Sequence, residues 1–154
     1  MKSILLSAVA TSLVMLAIPL PATASLGGDI TSVQADQARL QGTLQSTKNA
    51  SYTIEEVKAA TGLLVREYLS ANGQVFAVSW HGPTRPNLRQ ILGTYFQTYT
   101  QAVQAQKGRR IVRGPVVLKQ GGLVVEMGGH MGWIIGRAYV SSMVPSTVQM
   151  EEIR

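Results

Sequence analysis

The sequence predicts an α+β fold, a single domain in which two helix-plus-three-strand units form an antiparallel sheet with the helices packed on one face. Three observations predict it. Two stretches, Ser32 to about Gln45 and Leu88 to Val103, repeat apolar residues at helical spacing. Six short β-prone runs fall into two groups of three: Tyr52 to Val57, Leu63 to Leu69 and Val75 to Trp80, then Val116 to Lys119, Leu123 to Met127 and Trp133 to Val140. The pairs Thr61-Gly62, Asn72-Gly73, Gly121-Gly122 and Gly128-Gly129 punctuate those runs with turn chemistry.

The chain opens on a different kind of segment. Lys2 supplies a positive charge, Ile4 to Ile18 form an apolar run, and Ala22-Thr23-Ala24 is a small-x-small cleavage signal. Residues 1–24 therefore read as a cleavable signal peptide, which would place the product in the periplasm or outside the cell. The apolar run is shorter than the roughly 20 residues of a spanning helix, and Pro19 and Pro21 break it, so no transmembrane segment is expected after cleavage. Cleavage would leave one domain over residues 25–143 and a C-terminal tail over 144–154, where no periodicity is evident. The 154-residue sequence contains no cysteine, so an exported fold cannot rest on disulfides and the cleavage site lacks the residue that lipid attachment needs.

The first helix, with Thr31 and Gln34 at capping-box spacing, carries only the thin stripe Val33, Ala38, Leu40 and Leu44, so it should lie on the body of the domain. Asn72-Gly73 is expected to close a two-residue type I′ hairpin, because both residues tolerate positive φ. That turn would set Leu69 opposite Phe76, Glu67 opposite Val78 and Val65 opposite Trp80. Arg66, Tyr68, Ala77 and Ser79, with His81 beyond, would share the other face. Asn87 and Gln90 again have capping-box spacing, at the start of the stronger helix, whose stripe is Leu88, Ile91, Leu92, Tyr95, Tyr99, Ala102 and Val103. Gly93 inside it suggests either a close backbone approach or a tolerated defect.

The segments Val65-Arg66-Glu67-Tyr68 and Gly73 to Pro83, then Pro86 to Gly93 with Tyr95-Phe96, Gly128-Gly129-His130-Met131 and Gly136-Arg137-Ala138-Tyr139-Val140, resemble a family of small exported bacterial proteins known as domain-of-unknown-function family 2844. The resemblance spans nearly the whole chain after residue 24. It implies export and a single domain, and it brings no activity with it.

The basic residues Lys107, Arg109, Arg110 and Arg113 lie within seven positions with no acid among them, and without Lys2 the chain keeps 13 basic against 8 acidic residues. Such a cluster is either a solvated loop or a contact for anionic lipid or polysaccharide. It has no interleaved aromatic residues and the chain reads as exported, so nucleic acid is not an expected partner. The two histidines, His81 and His130, together with Glu126, are the candidate metal ligands, with Met127 or Met131 as a soft ligand for reduced copper, although their spacing matches no established motif. Structural histidines are the competing reading. Glu67 falls on an otherwise apolar strand face, where it is a general base with a raised pKa, the partner of Arg85, Arg89 or Arg137, or a group left wet at an edge position.

No nucleophile elbow surrounds Ser79, no phosphate loop follows the glycine pairs, and no cofactor is indicated. The residue pattern favours a non-enzymatic binding module over an enzyme. Its expected recognition residues are Arg66, Tyr68, Trp80, His81, His130 and Trp133, facing a protein, peptide or envelope component. The partner's identity and the oligomeric state are left open by the sequence.

Overall fold

The computed structural model describes residues 26–106 and 115–154; the expected signal peptide and the basic run Lys107 to Arg113 lie outside them. Helix α1 (Ile30–Leu40) starts at Asp29, whose carboxylate accepts from the Thr31 and Ser32 amides at 2.9 and 3.2 Å. The expected Thr31/Gln34 box is displaced because a carboxylate is a strong acceptor for the free amides of the first turn, and the Thr31 hydroxyl donates to it too, at 2.6 Å. The helix stops at Leu40, short of Gln45. Gln41 turns left-handed (φ 49°), and Gly42 passes so close to Lys58 that a Cβ would meet its carbonyl oxygen at 2.8 Å. Residues Thr43–Lys48 then form a strand, β1. Polar and exposed along most of its length, it is held by backbone pairing to the next strand, which side-chain periodicity does not report.

Strands β2 (Tyr52–Lys58), β3 (Leu64–Ser70) and β4 (Val75–Gly82) complete a four-strand meander. After α2 (Leu88–Leu92), a 3-10 turn (Gly93–Tyr95) and α3 (Phe96–Ala105), a second meander follows, β5 (Val116–Gln120), β6 (Leu123–His130) and β7 (Trp133–Val140). The order β1-β2-β3-β4-β7-β6-β5 joins the two meanders through the antiparallel β4–β7 pair, so the α+β architecture is four strands plus three rather than three plus three.

Two departures from the expected pattern sit at glycines. Gly93 (φ 48°, ψ −120°) breaks the long helix into α2 and α3, supplying a backbone conformation that residues with a Cβ rarely adopt. At the β3–β4 turn the Gly73 amide donates to the Ser70 carbonyl (2.8 Å) and the Ser70 amide to the Gln74 carbonyl (2.9 Å). Only Gly73 (φ 79°) is left-handed, so the loop has three residues and Asn72 does not form the expected I′ turn. Instead the Asn72 carboxamide oxygen accepts from the Gln74 amide at 3.3 Å. Leu69 consequently faces Val75. A bulge that adds Phe76 restores the expected register from Tyr68↔Ala77 through Glu67↔Val78 to Val65↔Trp80.

Both helical segments cover one face. Val33 of α1, Ile91 and Leu92 of α2 and Ala102 of α3 pack with Val65, Leu69, Val78, Trp80, Leu118, Val125, Ala138 and Val140 in one apolar core. On the far face a smaller core gathers Tyr52, Tyr68, Phe76 and Ala77 with Val148 and Ile153. Residues 144–154, read from the sequence as a trailing tail, are therefore a strap: Ile153 is fully buried, and burying a side chain of that size contributes about 1.5–3 kcal/mol.

Two substitutions separate steric from conformational needs for glycine. At Gly136 a Cβ would fall 2.3 Å from the Trp80 ring, so Gly136→Ala is expected to cost about 1–3 kcal/mol in urea unfolding. At Gly73 nothing lies within 4 Å, and Gly73→Ala should cost only about 1 kcal/mol, from backbone strain.

Candidate functional site

The register aligns Glu56, Arg66, Ser79, Arg137 and Glu126 in one rung across the far face. Alternation places them there, since Val57, Val65, Val78 and Ala138 beside them point to the helices. Arg66 Nε donates to Glu56 Oε2 at 2.7 Å, and Arg137 Nε and Nη2 reach Glu126 Oε2 at 2.9 and 2.8 Å. The remaining donors hold the strap by its main chain. Arg137 Nη1 donates to the carbonyls of Met150 (2.5 Å) and Ile153 (3.2 Å), and Arg66 Nη1 to Arg154 O (2.7 Å). The Tyr68 hydroxyl donates to Arg154 O at 3.0 Å and accepts from its amide at 3.1 Å. Tyr52 donates to Glu152 at 2.7 Å, and burial, then that carboxylate, raises the Tyr52 pKa so that the phenol keeps its proton.

Where the strap ends its contact, the far face is left as an apolar groove of about 630 Å³. Trp133 and Ile135 form its exposed apolar surface, 45% and 48% accessible, and the His81 ring lies 5.7 Å from the Trp133 ring. Gly128 and Gly136 leave out side chains here, so the edge of the otherwise buried Trp80 also reaches the lining. Arg66, Arg137 and Arg154 border the groove, with Glu126 the one acidic residue in its lining and Glu56 paired with Arg66 behind it. Tyr68, expected at a recognition surface, is instead buried beneath the strap, and Trp80 belongs to the helix-side core. Ile135, Arg154 and the strap were not singled out from the sequence, and Arg137 was named only as a partner for Glu67. A charged residue amid the apolar β7 run was the signal for Arg137, and the spaced Val148, Met150 and Ile153 were the signal for the strap.

His81, Glu126 and His130 are not brought together. His81 pairs with Ile135 and His130 with Trp133, on opposite sides of β7 and two residues apart along it, while Glu126 is engaged by Arg137. His130 is exposed, with Nδ1 3.0 Å from the Met131 carbonyl oxygen, and borders a second hollow of about 590 Å³ on the helix side with Arg85, Tyr99 and Met131. Among the described residues, no group of three or more histidine, aspartate or glutamate side chains is arranged to hold a metal ion.

Glu67 presents a different chemistry. It is 1% exposed on the helix face, and neither carboxylate oxygen has a hydrogen-bond donor among the described residues. None of the expected arginines reaches it: Arg137 is on the far face, Arg89 lies over the Phe96 ring at 4.8 Å, and Arg85 lines the helix-side hollow. Its neighbours are the buried carboxylates Asp36 of α1 and Glu55 of β2. Burial first, then these like charges, push the Glu67 pKa up to about 8. Burial also raises Asp36, against the Gln90 carboxamide that donates to it and Arg39 at 3.8 Å. The Ser46 hydroxyl donates to Glu55 at 2.7 Å. None of the three carboxylates lines either hollow described above, so a substrate has no route to Glu67 through them.

A family model described as "Protein of unknown function (DUF2844)" matches residues 22–153. No curated protein and no solved structure matches the chain.

The arginine clamps predict graded losses. Arg137→Met strips donors from one carboxylate and two main-chain carbonyls, and should cost about 2–3 kcal/mol in urea unfolding. Tyr68→Phe removes only the hydroxyl bonded to Arg154 and should cost about 1 kcal/mol. Equal losses would contradict the clamp.

Proposed function

The chain belongs to the DUF2844 family, a membership that brings no activity with it, and from that premise we propose that it is a non-enzymatic binding module, exported to the periplasm or secreted, that recognises its ligand in the far-face groove. One observation carries this reading: Trp133 and Ile135 stand half exposed on a sheet face whose other half is closed by the strap. Large apolar side chains held in the open on rigid strands are poised for recognition, and an aromatic ring supplies contact area at low entropic cost. A groove of this size suits a small molecule or a few residues of peptide.

The lining suggests the ligand's chemistry. The floor is apolar, and Arg66, Arg137 and Arg154 line it, with Arg66 paired to Glu56 and Arg137 to Glu126. An amphipathic anion fits, with its apolar body on Trp133 and Ile135 and its charged end toward Arg154 and Arg66. The reading needs neither a metal nor a nucleophile. The address rests on the sequence of residues 1–24 alone. The basic run Lys107 to Arg113 is a separate candidate for envelope contact and lies outside the described residues.

Titration with decanoate and with decanol, followed by calorimetry, tests the reading. Decanoate should bind more tightly than decanol, and Trp133→Ala should weaken it about tenfold or more. If neither amphiphile binds, or Trp133→Ala leaves decanoate affinity unchanged, the groove is not the recognition site.

A further inference from the structure

The three carboxylates beneath α1 have no part in the groove, yet burying them without a matching set of cations is the least expected choice in the structure. Asp36 sits in the middle of the buried face of α1, between Val33 and Leu40, and meets Glu67 of β3, whose partner across the strand pair is Glu55 of β2. The groups around Glu67 are Asp36 and Arg39 from α1, Glu55 from β2, and the Gln90 carboxamide of α2, which donates to Asp36; across the strand pair on β4 stands Val78. Glu67, with no donor to either oxygen, can complete its bonding only by carrying a proton and giving it to a neighbouring carboxylate. We infer that Glu67 and Asp36 share one proton, and that this proton is a clasp fastening α1 to the sheet, so that its loss releases the helix while the sheet stays paired.

The contacts of α1 suit such a release. The helix packs mainly on the β1–β2 end of the sheet. It is an 11-residue helix with three buried residues, two of them polar, Ser32 and Asp36. Little apolar area opposes its departure once the proton is gone.

The sign follows from linkage. The docked state holds the proton up to about pH 8, whereas in the released state Glu67 ionises in the ordinary carboxylate range. Docking is therefore tightest in acid and weakens about tenfold per pH unit as the pH rises toward 8, then levels off. An exported protein meeting acid would have its helix fastened, and one at pH 8 would have it loose.

Hydrogen exchange of the α1 amides between pH 5.5 and 9, corrected for the intrinsic rate, tests the clasp on the purified protein. The α1 opening constant should rise about tenfold per pH unit to near pH 8 and then flatten, with β4 and β7 amides more protected throughout. Glu67→Gln, whose amide donates without titrating, should abolish the slope. Asp36→Asn, which removes one like charge but keeps the burial, should move the plateau to lower pH and serves should Glu67→Gln not fold. A flat wild-type profile, a slope that survives Glu67→Gln, or equal protection of α1 and β4 at every pH would overturn the inference. Calcium or zinc that restored α1 protection at pH 8 would do the same, by making the cluster a cation site.

Discussion

A sheet has two faces, and the three short α-helices among the described residues cover only one. The second must be covered by something else, and the structure assigns that task to the last residues of the chain, fastened through the Glu56–Arg66–Ser79–Arg137–Glu126 rung. The rest of the molecule depends on this solution. It needs β4 beside β7, because only that pairing puts Arg66 and Arg137 on adjacent sides of Ser79. It buries Tyr68 and Phe76, whose rings lie 6.3 Å apart, and it stops short of Trp133 and Ile135. The groove is what the strap does not reach.

The two faces handle charge in opposite ways. On the far face Arg66 and Arg137 each meet a carboxylate and spend other donors on main-chain carbonyls, so a partly exposed charge stabilises a defined peptide path. On the helix face three carboxylates are buried around one carboxamide and one arginine, and the balance must be made with a proton. Burial therefore fixes geometry on one side and makes it responsive to pH on the other. This division gives the Glu67 charge a structural meaning.

Much of the fold was legible in the sequence because its signals are local. Six strands, both helical regions and the Val65↔Trp80 register follow from alternation and turn residues. β1 was not legible, because an edge strand with one unpaired side and few buried residues has no alternation to read, and the preceding helical stripe ran into it. The strap was missed for a related reason: it is held largely through main-chain acceptors, which leave no trace in residue type, and its apolar anchors Val148 and Ile153 follow no helix or strand period. Asp36 could have been seen, since it falls between Val33 and Leu40 on the helical stripe, but a search for apolar periodicity passes over a carboxylate. Of the recognition residues, Trp133, His81 and Arg66 do border the groove, whereas Tyr68 and the bulk of Trp80 are inside, because which aromatic stays exposed is decided by the strap and by Gly136.

The central claim is that the strap lies on the far face with Ile153 inserted among the aromatic rings. Methyl–aromatic nuclear Overhauser contacts in the protein labelled at isoleucine methyl groups test it most directly. The account predicts cross-peaks from the Ile153 methyl groups to Tyr68 and Phe76, with the methyl resonances moved by the ring currents. An Ile153 signal at random-coil shift, without contacts to either ring, would contradict it.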